Sequence, residues 1–260
     1  MSQSEIDSRD PSGIHEPGKS TEKEIDFRVN LGSYFEGSIG STVERLENFT
    51  KYVPRQKLTE FIAKYEVFKK IVDVQGSIVE CGVFHGGGLM SFAHLSTIFE
   101  PVNHKRKIIG FDTFFGFPPL SSEDGIGNSA HAKTGGLAVD SYEDLKACIE
   151  LFDLNRSIGH IPKVILVRGD IRETLPTYLE ENPHTVVSLL HLDVDVYEPT
   201  KVAIELLMPR MPKGAIIFFD ELNDERWPGE TLAVMDTIGL KNLRIERFAF
   251  DASISYAVIE

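Results

Sequence analysis

Two stretches hold the side chains best suited to chemistry: His191-Leu-Asp193-Val-Asp195-Val-Tyr197-Glu198 and Phe218-Phe219-Asp220-Glu221. Carboxylate oxygens are hard ligands, and Asp193, Asp220 and Glu221 form a candidate set for Mg²⁺ or Mn²⁺. They must then meet in space, and their neighbours indicate how. Each acidic stretch ends a short apolar run, 186–190 and 215–217, of the kind that forms strands buried on both faces. Between them, 197–210 spaces Val202, Ile204, Leu206 and Leu207 as a helix, closed by Pro209 and Pro212. Strand, helix and strand of this length make a right-handed crossover between parallel strands. Both acidic ends then open on the edge where α/β sheets bind ligands. An acid after a strand is also a common helix N-cap, a role open to Asp195 or Glu198.

The rest of the chain supplies the scaffold. Its 260 residues suffice for one large α/β domain or two small ones, and 42% hydrophobic with 26% charged residues is ordinary for a globular protein. The net charge of −13 argues against a nucleic-acid partner. Two cysteines, Cys81 and Cys148, form no disulfide framework and no zinc spacing, and read as reduced core residues. No apolar run reaches a membrane span and no signal pattern opens the chain, so the expected location is the cytoplasm.

Residues 1–24 are polar, with Pro11, Gly13, Pro17 and Gly18, and read as a disordered tail. Residues 25–75 read as a lid or helical cap. Phe27, Val29, Leu31, Tyr34, Phe35 and Ile39 are too apolar for a free linker, and could close over a site or be buried in a homo-oligomer. A helix over 42–53 starts at Ser41 or Thr42, and another over 55–74 has Leu58, Phe61, Ile62, Tyr65 and Phe68 as its inner stripe. From 76 the chain alternates strands and helices, and 243–250 with 253–259 close it as a hairpin. The fold class is therefore α/β: a doubly wound, mostly parallel sheet with a C-terminal antiparallel hairpin and an N-terminal helical cap.

Other strand ends on the same edge carry candidates for a nucleoside ligand. Glu80-Cys-Gly82-Val-Phe-His85-Gly86-Gly87-Gly88 is a glycine-rich turn before a helix, but fits neither GxGxxG nor the P-loop. Asp112 ends the second strand, where an acid suits ribose hydroxyls. Asp170 follows the third strand, where it could accept an adenine amine with Ile171 beside the ring. Both acids serve equally well as caps. Residues 113–138 form a long loop, its aromatic half anchored and its Gly/Ser half a candidate substrate lid; its His131 reads as a surface histidine.

These motifs, in this order, resemble the class I S-adenosylmethionine-dependent methyltransferases. Glu80–Gly87, Phe111-Asp112-Thr-Phe-Phe-Gly-Phe-Pro118, Arg168-Gly-Asp170, Leu192–Glu198 and Phe219-Asp220-Glu221 are similar to the motif set of the macrocin O-methyltransferase family. The likeness runs from about Thr42 to the C-terminus. It departs at His85, where the family usually has Arg, and at Glu221, where it usually has Asp. The resemblance implies a Rossmann-like methyltransferase domain over 76–260 and methylation of a sugar hydroxyl in antibiotic biosynthesis. The acceptor would be a TDP-deoxysugar or a glycosylated natural product, the cofactors S-adenosylmethionine and Mg²⁺ or Mn²⁺. Glu80, Gly82, Val83, Phe84, His85, Gly86, Asp112, Thr113, Asp170 and Ile171 would seat the methyl donor. Asp193, Asp220 and Glu221 would hold the metal; Asp193 or Asp195, with His191 a third candidate, would take the proton. Tyr34, Glu36, Phe117 and Tyr197 would meet the acceptor. Two other readings use the same residues: a metal-dependent hydrolase or hydroxylase, and a non-catalytic adenosine-binding module. A hydroxylase wants two histidines and one carboxylate, and only His191 lies near.

Overall fold

The computed structural model describes residues 2–12 and 16–260. They fall into two compact units: one runs to Leu58 and includes Ser129–His131, the other comprises Thr59–Asn128 and Ala132–Glu260. The first unit holds helices α1 (Gln3–Asp7), α2 (Glu22–Gly37) and α3 (Thr42–Glu47), followed by a 3₁₀ turn at Phe49–Lys51. Capping boxes start all three helices, pairing Ser2 with Glu5, Thr21 with Glu24 and Ser41 with Glu44. The stretch 1–24, expected to be a disordered tail, thus contains helix α1 and the start of α2. Its order comes from polar contacts that a count of apolar residues overlooks: Arg28 pairs with Asp10, and Arg9 with Asp26. Residue 1 and residues 13–15 of that stretch, Gly13 among them, lie outside the described residues.

Helix α4 (Arg55–Ile71) leads into the second unit, whose sheet carries the site. Its strands are β1 (Ser77–Cys81), β2 (Ile108–Asp112), β3 (Val164–Arg168), β4 (Val187–Leu192), β5 (Ile216–Phe219), β6 (Ile245–Arg247) and β7 (Ser255–Val258). The order across the sheet is β3-β2-β1-β4-β5-β7-β6. The first five are parallel, and β7 runs antiparallel to both β5 and β6. The strand order reverses between β1 and β4, the position where such sheets open a ligand crevice.

Period-two alternation divides the core into two layers. Ile78, Ile108, Leu189, Ile216 and Phe218 face α4 and α5 (Gly87–Phe99). Val79, Ile109, Leu190, Ile217 and Phe219 face α7 (Ile171–Glu181), α8 (Tyr197–Leu207) and α9 (Pro228–Thr237). Two sequence expectations fail here. The buried stripe of α4 is Ala63, Lys64, Val67, Phe68 and Ile71, while Phe61 and Ile62 are exposed. The helix has apolar residues on more than one side, and packing selected the side with the small Ala63. Cys81 is buried as expected, but Cys148 is exposed, because α6 (Tyr142–Leu154) buries Leu145 and Phe152 instead.

Candidate active site

Strand register brings the acids together. Cys81 pairs with Leu192, and Leu192 with Phe219, so Gly82, Asp193 and Asp220 leave three adjacent parallel strands at one level. The Asp193 N–H donates to Cys81 O at 2.8 Å, and the Asp220 N–H to Leu192 O at 3.3 Å. Gly82 has φ +88°, and a Cβ there would stand 1.7 Å from Asp193 O, so only glycine lets the Asp193 backbone cross at this height. Beyond it the chain turns sharply. The Val196 N–H donates to Val194 O at 2.6 Å, which puts Asp195 at the centre of a γ-turn with φ +59°. A γ-turn with positive φ is rare and strained, and aims the Asp195 side chain by backbone geometry rather than by rotamer choice.

Ligand atoms of Asp193, Asp220 and Glu221 lie within 4.8 Å of one another. Glu221 Oε2 is buried without a hydrogen-bond partner. No lysine or arginine hydrogen-bonds to these three among the described residues. Burial pushes Asp193 and Glu221 well above the carboxylate range, and mutual repulsion with Asp195 and Asp220 adds to it. The same causes, burial and then the Asp220 charge, raise Asp195 to about 7, with Glu221 partly offsetting them. A donor set of this charge, with a buried oxygen left unsatisfied, fits a hard divalent cation.

The remaining expected residues spread over several roles. The Asp112 carboxylate accepts from the N–H groups of Val83, Phe84 and Phe114 at 2.6–2.8 Å, so it shapes the glycine-rich turn. Val83, Phe84, His85 and Gly86 form that turn, with Phe84 at φ +52° and its carbonyl accepting from Ser141 Oγ. Thr113 ties the start of the long loop, donating to Gly116 O at 2.7 Å. Asp170 caps α7 and is clasped by Arg172 through both oxygens; Ile171 is buried in the core. Glu80 and His191 are buried under the edge and bonded to each other at 3.0 Å. The ring of Phe117 packs on Trp227, with centroids 5.3 Å apart. Tyr197, placed with the acceptor by the sequence reading, is buried, and its hydroxyl donates to Asp236 at 2.8 Å. Its place at the first turn of a buried helix turns it into the core. Tyr34 and Glu36 lie on α2 of the first unit, with Tyr34 half exposed beside Tyr52.

Three residues of the site escaped the sequence reading. Lys64, on the buried side of α4, is a cation acting on Glu80, His191 and Asp193. Glu230, near the start of α9, is 1% exposed and lies close to Asp220 and Asp195. Asp124, in the long loop, accepts from the Tyr197 N–H at 2.7 Å and caps α8, the role open to Asp195 or Glu198 in sequence. Each looks like an ordinary surface charge in sequence, and only its burial marks it.

The reversed strand order, the acid-lined edge and the antiparallel β7 define a Rossmann-like fold of the class I methyltransferases. Residues 51–239 match the family model described as macrocin-O-methyltransferase (TylF), and the chain belongs to that family. It is similar to the crystal structure of CalS11, calicheamicin methyltransferase, at TM-score 0.88 and 34% identity, covering 92% of this chain and 93% of that one. It is likewise similar to the apo structure of CalS11, TDP-rhamnose 3′-O-methyltransferase, at TM-score 0.80 and 32% identity, over 92% and 95% of the two chains. The 8-demethyl-8-(2,3-dimethoxy-alpha-L-rhamnosyl)-tetracenomycin-C 4′-O-methyltransferase of Streptomyces olivaceus is 28% identical over 57% of this chain. That match spans about half of the relative's length, 53%. Among the described residues no helix is long and apolar enough to cross a membrane.

Proposed function

We propose that the protein transfers a methyl group from S-adenosylmethionine to a hydroxyl of a deoxysugar, either TDP-linked or part of a glycosylated natural product, in antibiotic biosynthesis. The observation that carries this reading is the meeting of Asp193, Asp220 and Glu221 on one edge within 4.8 Å, with Asp195 beside them. The similarity to a TDP-rhamnose 3′-O-methyltransferase supports the acceptor class.

Asp193, Asp220 and Glu221 would hold Mg²⁺ or Mn²⁺, which supplies a charge that acidifies and fixes an acceptor hydroxyl. S-adenosylmethionine supplies the electrophilic methyl. Asp195, beside these three acids, would take the proton of the hydroxyl. Asp193 is the second candidate base. His191 has no open face and its Nδ1 is taken by Glu80, so it does not meet the acceptor. The turn Gly82–Gly86, shaped by Asp112, seats the donor with Thr113. The loop with Phe117 covers the acceptor. The strained Asp195 turn and the rigid strand ends hold the oxygen in line with the methyl, and alignment of this kind supplies much of a displacement's rate. The protein works in the cytoplasm as a homo-oligomer, for which Phe27, Val43, Leu46 and Phe49 offer exposed apolar surface.

A mass-shift screen of TDP-deoxysugars and glycosylated natural products with S-adenosylmethionine, with Mg²⁺ or with EDTA, tests the reading. Methylation that needs the metal and is lost in Asp193→Ala is expected. Turnover untouched by EDTA or by Asp193→Ala refutes the metal role, and donor binding without turnover favours an adenosine-binding module.

A further inference from the structure

Ser141 stands at the N-cap position of α6, just after the long loop, yet its hydroxyl accepts from no N–H of that helix. The residue is 4% exposed, and its Oγ donates instead to the carbonyl of Phe84, in the glycine-rich turn after β1. Phe84 has φ +52°, in the left-handed region that disfavours a side chain. Its conformation is therefore held from outside. On the N-terminal side, the Asp112 carboxylate accepts from the N–H groups of Val83 and Phe84 at 2.7 and 2.8 Å. On the C-terminal side stands Ser141, and among the described residues no other group hydrogen-bonds to the Phe84 carbonyl.

A trans peptide is planar, so its C=O and N–H point opposite ways. With the Phe84 carbonyl fixed on α6, the His85 N–H is turned away from α6, and among the described residues it has no hydrogen-bond partner. Rotation of this one peptide plane would put a carbonyl where the N–H now points. The rest of α6 docks without the hydroxyl. The Tyr142 ring packs on Phe114 with centroids 5.2 Å apart, and the Arg168 guanidinium lies 5.1 Å from the Tyr142 centroid. Leu145 occupies the space over Gly86, where a Cβ would stand 2.1 Å from its Cδ2. Loss of the Ser141 hydroxyl is thus felt at the Phe84–His85 peptide rather than through undocking of the helix.

We propose that Ser141 is a positioning residue for the methyl donor: it locks the Phe84–His85 peptide so that the His85 N–H is presented to the carboxylate of the donor's amino-acid half. This rests on the reading that the turn Gly82–Gly86 seats S-adenosylmethionine. The carboxylate is the group of the donor that an unpaired backbone N–H suits, because a hydrogen bond to an anion is stronger than one to a neutral acceptor. The adenosine half carries no anion and gains nothing from this peptide's orientation.

Calorimetry on the full chain compares S-adenosylhomocysteine, which keeps the amino-acid half, with methylthioadenosine, which lacks it. Ser141→Ala is expected to weaken S-adenosylhomocysteine about 10-fold, as loss of a hydrogen bond to a charged group does, and methylthioadenosine less than about twofold. Ser141→Thr keeps the hydroxyl and is expected to bring S-adenosylhomocysteine back to within about threefold of wild type. In turnover, Ser141→Ala is expected to raise KM for the donor about 10-fold and to leave kcat at saturating donor within about twofold. Methylthioadenosine binding is the folding control. Ser141→Cys fills the same space with a weak donor, and carries the comparison if Ser141→Ala does not fold. Equal weakening of the two ligands marks a purely structural role and overturns the proposal. So does unchanged S-adenosylhomocysteine affinity in Ser141→Ala, or a Ser141→Thr variant that does not recover it. If wild type binds neither ligand, the donor reading itself fails and takes the proposal with it.

Discussion

Replacing Glu80 by Gln should abolish a large, pH-dependent loss of stability. Burial raises the Glu80 carboxyl from 4.5 to about 8, with repulsion from Asp112 and Asp220 adding to it and Lys64 opposing it. The folded chain therefore keeps this proton up to about pH 8, whereas the unfolded chain releases it from 4.5 upward. Between those limits the unfolded state binds fewer protons, so stability falls as pH rises and levels off above the folded value. Integrating that difference from about pH 5 to about pH 8 gives a loss of roughly 3–4 kcal/mol from this one side chain. Glutamine has the same shape, keeps a donor for His191 Nδ1 and does not titrate. Chemical denaturation of both proteins at the two pH values isolates the contribution, since the other carboxylates titrate in both. The gap should shift in favour of Glu80→Gln by about 3 kcal/mol on going to the higher pH, as an order of magnitude. Parallel pH profiles would show that Glu80 is ionised when folded, and would remove the reasoning that places a proton on it.

Gly82→Ala should lose about 100-fold or more in methyl transfer, because its Cβ displaces the Asp193 backbone, and small misplacements cost that much; turnover near wild type would refute it. Asp124→Ala uncaps α8, whose Tyr197 N–H is buried, and should lower stability by about 1–2 kcal/mol in thermal unfolding. Arg106 pairs with Glu100 and donates to Ser188 and to the carbonyls of Ile71, Val72, Val74 and Gly76. Arg106→Met leaves these groups buried without a donor, and should destabilise the sheet by about 3–5 kcal/mol, with a change below about 1 kcal/mol counting against the account.

The framework was legible in the chain because local signals and tertiary packing agree there. Val79, Ile109, Leu190 and Ile217 announce buried parallel strands, Ser41 and Glu44 announce a capped helix, and acids stand at the ends of strands two, three, four and five. Parallel crossovers of fixed hand then place those acids on one edge, so the meeting of Asp193 with Asp220 could be inferred before any coordinate. The interior electrostatics could not. Lys64 looks like a surface residue of an amphipathic helix until the packing of Ala63 and Phe68 turns it inward. Asp124 caps a helix that begins 73 residues later, and Asp170 spends both oxygens on its neighbour Arg172. His191 was a candidate base until register set it against Glu80 in an aromatic layer. Sequence determines which residues end a strand, because hydrophobic periodicity is local. Only the folded chain decides which charges lose their water and which partners they then find, because desolvation and pairing depend on residues far apart in the chain.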